Sequence, residues 1–343
     1  MSIGKTLKGD LVFEYLAKFP SYPSKTIAAI LFEKEPDVFD SVENVRKLIS
    51  WHRGNHAGSG GRKSPNLTFA RPDGKQTDRP PCWHLPEPIP EGKPWKVVEI
   101  TFERGLLMGD LHIPFHDKIA LETTLKYGRG LKPDCIILNG DILDFYAVSF
   151  WERDPRVVQL ADEVEYGKCF LEDLRQMFPK ARIIYKEGNH EERFWRRVLQ
   201  KMPELMGVRD GSGLDMVSLG TMLDFKEYGV ELVDNKQPIL CGEHLHVLHG
   251  HEFRQPLSNP VNPARGLYLK AQCNAIAGHL HQSSQHTQTG LAKTISCWSH
   301  GGLCNLRPKY SPINSWNLGF ATIEISGNDW SVTNKKIING KVV

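Results

Sequence analysis

Five short segments of this 343-residue chain carry side chains able to bind cations: Asp110-Leu111-His112, Gly140-Asp141-Ile142-Leu143-Asp144, Gly188-Asn189-His190-Glu191, His249-Gly250-His251 and Gly278-His279-Leu280-His281. Carboxylates, imidazoles and an amide carbonyl together suit Mn, Fe, Zn, Co or Ni. The set has no thiolate, which argues against a structural zinc site. An aspartate such as Asp141 can bridge two ions with its two oxygens. Two ions about 3.5–4 Å apart can share a hydroxide and clamp a phosphate. His249 and His251 stand two residues apart, on one face of any strand they extend, so either one can be the ligand.

These residues need elements that bring them to one place, and the sequence supplies them. Each segment follows a short apolar run: Leu106-Leu107-Met108, Cys135-Ile136-Ile137-Leu138, Arg182-Ile183-Ile184-Tyr185, Leu245 to Leu248, and Ala275-Ile276-Ala277. Such runs read as buried strands. Amphipathic stretches at Ile119 to Tyr127 and Val157 to Met177 read as helices between them. Strand-helix alternation predicts an α/β sheet sandwich. In such sheets ligands gather beyond the carboxyl ends of the strands, where all five segments fall. Val97 to Phe102 reads as a leading strand. Lys293 to Ser296, Leu318 to Ile325 and Trp330 to Ile338 read as antiparallel closing strands.

In this order, the five segments resemble the motifs of the calcineurin-like metallophosphoesterase superfamily, over roughly Trp95 to Ile338. The resemblance implies a four-layer α/β/β/α sandwich and two divalent metal ions, Mn first, with Fe, Zn, Ni or Co as alternatives. It assigns Asp110, His112 and His281 to the first ion and Asn189, His249 and His279 to the second, with Asp141 between them. His190 would protonate the leaving oxygen while a metal-bridged hydroxide attacks phosphorus, and Asp144 would hydrogen-bond His190 and keep it cationic. No ligand position is missing, which argues against a vestigial, binding-only site.

The front of the chain differs in kind. Residues 1–56 read as three short helices: one through Leu11, Val12, Tyr15 and Leu16, one capped by Ser24, and one capped by Ser41. They suggest a helix-turn-helix-like module or a helical cap. Residues 57–94, with Gly58-Ser59-Gly60-Gly61 and Pro86-Glu87-Pro88-Ile89-Pro90, read as a Gly/Pro-rich linker. The catalytic domain is assigned to 95–343. Basic residues Arg46, Lys47, Arg53, Arg62, Lys63, Arg71, Lys75 and Arg79 outnumber the acids from Val45 to Pro80, an arrangement that can meet phosphates or line a solvated face. Phe19-Pro20 through Arg46 and Arg53-Gly54, ahead of this domain, resemble phage-encoded family members described as exonucleases or DNA-repair phosphoesterases.

Whole-chain properties restrict the setting. Net charge is +3 and names no partner. Seven cysteines are scattered without a Cys-x-x-Cys pair, so reduced thiols are expected. No apolar run approaches ~18 residues and the N-terminus lacks a signal-peptide core, which points to a cytoplasmic protein without a membrane span. The expected function is a phosphodiesterase or nuclease acting on nucleic acid, with a phosphomonoesterase or nucleotide phosphatase as the alternative. Among other polar residues, His116 and Asp117 could line the pocket or belong to a loop. Glu191, Glu192 and Arg193 open a helix and read as its solvated start, with contact to substrate the alternative for Arg193; His300 reads as a turn residue, with a place at the rim the alternative; and His244, His246 and His286 read as surface or packed residues.

Overall fold

The structure is a computed structural model that describes residues 7–20, 22–53, 95–211, 213, 215–253 and 261–343. The chain divides into two compact units, Met1–Ile89 and Pro90–Val343. The stretch 57–94 read as a linker lies outside the described residues, as do Arg62, Lys63, Arg71, Lys75 and Arg79 of the basic run.

In the first unit, helices α1 (Leu7–Lys18), α2 (Ser24–Lys34) and α3 (Val42–His52) bury Val12, Ile27, Ala28, Leu31, Phe39, Val45 and Ile49 against one another. Ser41 caps α3, its hydroxyl accepting the Asn44 N–H at 3.2 Å. Ser24 is not the cap expected of it. Pro23 holds the N-cap position, and the extended ψ of 144° and fixed φ of a proline suit it to lead into the helix. The Ser24 hydroxyl instead accepts Arg53 Nη1 at 2.8 Å. Arg53 also donates to the Tyr22 carbonyl, and Arg46 pairs with Glu43 at 2.7 Å. Two of the basic residues counted toward a phosphate-binding face therefore have partners inside this unit.

The second unit is built on two sheets. The first has strands β2 (Arg104–Met108), β3 (Cys135–Asn139), β4 (Arg182–Lys186) and β5 (Val230–Val233), mutually parallel, with β11 (Gly319–Ser326), β12 (Asp329–Ile338) and β13 (Lys341–Val342) antiparallel at one edge, in the order β13-β12-β11-β2-β3-β4-β5. The second contains β1 (Val98–Ile100), β6 (Ile239–Cys241), β7 (Leu245–Leu248), β8 (Ala275–Ala277), β9 (Ser284–Thr289) and β10 (Thr294–Ser299), in the order β1-β6-β7-β8-β10-β9.

Side chains that alternate along each strand give the sheets two apolar faces. Leu106, Met108, Ile136, Leu138, Ile183 and Tyr185 face a helical layer containing Leu121 and Leu125 of α4 (Lys118–Leu131), Phe170, Leu171 and Leu174 of α5 (Leu160–Met177), and Phe194 and Val198 of α6 (Asn189–Lys201). Their neighbours Leu107, Ile137 and Ile184 turn the other way and meet Ile239, Leu245, Val247 and Ile276 of the second sheet. The outer face of that sheet, Leu248, Ala275, Ala277 and Cys297, is covered by Ala264 and Leu267 of the Pro263–Ala271 helix. The layers run helix, sheet, sheet, helix, the α/β/β/α sandwich the sequence implied. The closing strands divide between the sheets: β11 to β13 extend the first, while β10 joins the second by running parallel to β8.

Candidate metal centre

The metal-ligand candidates come from both sheets. Asp110 and His112 follow β2, Asp141 and Asp144 follow β3, and Asn189 and His190 open α6 just after β4. His249 follows β7, and His279 and His281 follow β8. Backbone bonds zip these loops together: the Asp110 N–H donates to the Gly140 carbonyl at 3.0 Å, the His112 N–H to the Asp141 carbonyl at 2.9 Å, and the Gly278 N–H to the His249 carbonyl at 2.9 Å.

The turns are sharp. Asp110, His112, Asp141, His279 and His281 all have positive φ, from 51° to 67°. Asp and His tolerate this region better than most residues, but such backbone still costs about 1–3 kcal/mol at each position. Two glycines allow the close approach. A Cβ on Gly140 would fall 2.4 Å from His249 Nδ1, and one on Gly188 would fall 2.3 Å from Asp141 Oδ1.

The donor atoms form two adjoining groups. His281 Nε2 lies 3.2 Å from Asp110 Oδ1 and 3.2 Å from His112 Nε2. His249 Nε2 lies 3.2 Å from Asp141 Oδ2 and 3.2 Å from Asn189 Oδ1. His279 joins the second group, with a donor atom within 4.8 Å of those of Asp141 and His249. Asp141 Oδ2 is also 3.9 Å from His112 Nε2 and so faces both groups. Its other oxygen is engaged elsewhere, accepting the His190 N–H at 2.8 Å.

This arrangement fits divalent ions. Donors around one ion at ~2.0–2.2 Å stand roughly 3–3.5 Å apart, which matches the short separations here. Behind the donors, the imidazoles are fixed from their far side. His249 Nδ1 lies 2.7 Å from the Asn139 carbonyl and His112 Nδ1 3.0 Å from Asp144 Oδ2, which keeps each Nε2 turned inward. Among the described residues, His281 Nδ1 has only Cys304 Sγ, at 3.7 Å.

Charge in the site is strongly paired. Burial alone would raise the pKa of Asp141, but His190 and His249 hold it well below the usual carboxylate range. Asp110 is held down in the same way by His281 and His249. Burial would lower His249, but Asp141 and Asp110 push it up to about 10. His279 takes the opposite course: burial first, then the neighbouring His249, bring it down to about 4.

His190 sits beside this centre, with Nε2 3.8 Å from Asp141 Oδ2. Its Nδ1 is held by the backbone carbonyl of Asp144 at 2.8 Å, while the Asp144 carboxylate is 3.4 Å away and lies closer to His112. Asp144 thus positions both rings, not His190 alone. Burial opposes charge on His190, but Asp141 and Asp144 raise its pKa.

Several supporting residues were not legible in the sequence. Glu191, read as part of a solvated helix start, is buried and accepts five donors: the N–H groups of Asp141, Ile142, Leu143 and Gly188, and the Tyr185 hydroxyl. It ties the Asp141 loop to the Asn189 loop. Its position three residues after Gly188 is that of a capping-box glutamate, the one signal that could have found it. Glu252 accepts the His249 N–H at 2.7 Å and pairs with buried Lys186 at 2.9 Å, which brings its carboxyl down to about 2 against the effect of burial.

Arg193 is also not a solvated residue; its side chain is 19% exposed and packs on His190. His251 binds the Asn235 side chain and stands beside His249 and His279 without replacing His249 at Asp141. His300 is fully buried, its Nε2 3.1 Å from Asn139 Nδ2 and its Nδ1 against the Gly301 carbonyl. Asp117 caps α4, and Glu192 pairs with Arg196. His116 bridges to Cys304 through the backbone. His244 stacks on Trp330, His286 packs near Tyr268, and His246 lies within β7.

No family model matches the chain. It is 24% identical over 251 residues to the Gene 54 protein of Mycobacterium phage L5, covering 70% of this chain and 95% of that protein. The Gene 54 protein of Mycobacterium phage D29 is 22% identical over the same coverage. Among solved structures, Vacuolar Protein Sorting 29 from Cryptosporidium parvum matches 71% of this chain and 95% of its own at 13% identity and a TM-score of 0.38. A dimetal phosphatase from Danio rerio matches 71% and 98% at 11% identity and a TM-score of 0.34. The two-sheet sandwich and its ordered loops are what the resemblance to calcineurin-like metallophosphoesterases implied. Among the described residues no helix is long and apolar enough to cross a membrane.

Proposed function

We propose that this chain is a metal-dependent phosphoester hydrolase. The observation that carries the reading is the position of Asp141 Oδ2, turned to both donor groups with the His190 ring alongside. Asp110, His112, Asp141 and His281 would hold one divalent ion, and Asp141, Asn189, His249 and His279 the other, with Mn among the ions this donor set accepts. Bound there, the ions would supply Lewis acidity and acidify water toward neutral pH. The chain's own residues do the rest. His190, kept basic by Asp141 and Asp144, is the group that protonates the leaving oxygen. Glu191 and the Lys186–Glu252 pair keep the loops in register.

Within that class we favour a phosphodiesterase acting on nucleic acid. Trp316 packs edge-on against His281 with ring centres 4.3 Å apart, and Tyr310, 72% exposed, stands beside Trp316. Arg307 and Lys309 share that loop, and none of its residues from 305 to 316 is acidic. An exposed aromatic with cationic neighbours next to the reacting centre suits a base and its flanking phosphate. The three-helix unit ahead of the domain supports the same choice.

Two assays test these readings. Hydrolysis of bis-p-nitrophenyl phosphate and p-nitrophenyl phosphate with Mn, Zn, Co and Ni should show diester preference and no turnover in chelator. Single-stranded DNA, double-stranded DNA, RNA and free nucleotides should then be compared. Faster turnover of the monoester and of nucleotides would make the chain a phosphomonoesterase, and no ester hydrolysis with both metals bound would refute the main reading.

A further inference from the structure

Arg193 lies one helical turn beyond His190 on α6, and its surroundings are unusual for a partly buried cation. Its Nη1 donates to the Asp144 carbonyl at 3.2 Å, and its Nη2 lies 2.8 Å from His190 Nε2. Its nearest carboxylate oxygen in the site, Asp144 Oδ1, is 3.8 Å away, and Asp144 Oδ2 is already engaged by His112 at 3.0 Å. Arg196, three residues along the same helix, has its own carboxylate, Glu192, at 3.0 Å. The other guanidinium near the site thus rests on a carbonyl and a ring nitrogen.

A guanidinium can only donate, and its fork matches two oxygens of a carboxylate or phosphate better than a single imidazole nitrogen. The His190 nitrogen it touches is itself 3.8 Å from Asp141 Oδ2, so the fork stands at the edge of the metal centre. There it is largely withdrawn from water, which strengthens its attraction for an anion.

We propose that Arg193 is a substrate-binding residue, whose guanidinium leaves His190 Nε2 to grip a non-bridging oxygen of the phosphoryl group held at the metal centre. The same movement uncovers the His190 nitrogen on the side facing the substrate. The proposal rests on the phosphoester reading given above.

The test uses the full chain loaded with Mn, comparing wild type with Arg193→Ala, Arg193→Gln and Arg193→Lys. Metal content by mass spectrometry and thermal midpoint should match wild type. Binding of inorganic phosphate, measured by isothermal titration calorimetry, should weaken roughly ten- to hundredfold in the Ala and Gln variants, as expected for losing a charge-assisted hydrogen bond. Lys should recover part of it. For bis-p-nitrophenyl phosphate the loss should appear mainly in KM.

A second comparison separates binding from mere support of His190. In a His190→Ala background, Arg193→Ala should still weaken phosphate binding by a similar factor. Unchanged phosphate affinity in the single variants, or an effect that vanishes without His190, would overturn the proposal. If wild type holds its metals yet neither binds phosphate nor cleaves any ester, the phosphoester reading falls first and this proposal with it.

Discussion

The two sheets bring different chemistry to the shared rim. The seven-stranded sheet provides every carboxylate among the assigned residues, Asp110, Asp141 and Asp144, together with Asn189, His112 and His190. The six-stranded sheet provides only imidazoles, His249, His279 and His281. The strongest pKa shifts come from pairs that cross this division, while His279 is brought down by burial and by His249. The three aspartates are held down although burial would raise them, and His249 and His281 are pushed up although burial would lower them. Either half alone would crowd like charges or leave buried polar groups unpaired. The site is therefore a product of packing the sheets together, and damage on one side should be felt on the other.

The largest effect should come from the atom between the halves. Asp141→Asn should weaken both metals together and cut turnover by roughly 10³-fold, the scale of losing a main electrostatic contact. Metal titration checks this, and one remaining full-affinity ion would mean that Asp141 does not bridge. His190→Ala should keep both metals while kcat drops about 10²- to 10⁴-fold. Loss of a metal in that variant would make His190 a ligand instead of an acid.

The Lys186–Glu252 pair joins β4 of one sheet to the loop after β7 of the other. Lys186→Met would strand a buried carboxylate and should destabilise the fold by about 3–5 kcal/mol, measurable by urea unfolding. The pair also predicts a pH dependence. Glu252 has its carboxyl lowered from 4.5 to about 2, so its contribution is complete above pH 4.5 and is lost as pH falls toward 2. Wild type should lose stability more steeply than Glu252→Gln across that window, and parallel curves would contradict the pairing. The smallest effect should be at Cys304. Its sulfur is a weak acceptor for His281 Nδ1, so Cys304→Ala should weaken Mn binding by about tenfold at most, the low end for a group behind a ligand. Calorimetric titration of Mn would detect a larger change, and such a change would make the sulfur an important support.

Much of this was readable in the sequence for a local reason. A run such as Cys135-Ile136-Ile137-Leu138 is apolar because its strand is covered on both faces, and the Asp or His that follows marks where the strand leaves the core. The strands missed were of another kind. Ser284–Thr289 is polar and mostly exposed, and Val230–Val233 is short and half covered, so neither carries an apolar run; Ile239–Cys241 is apolar and buried but only three residues long, and Lys341–Val342 only two. Ser24 failed as a cap because the proline before it already fills that place.

The sequence by itself determined the donor types, their order and the strand ends that carry them, because each is a property of a few consecutive residues. Tertiary structure decided which sheet each closing strand joins, which oxygen of Asp141 faces the centre, and what stands behind each ligand. Glu191 reaches Asp141, 50 positions away, and Asn139 reaches Leu248 across 109. Such contacts depend on how two sheets twist and pack, and no local pattern of side chains encodes that distance.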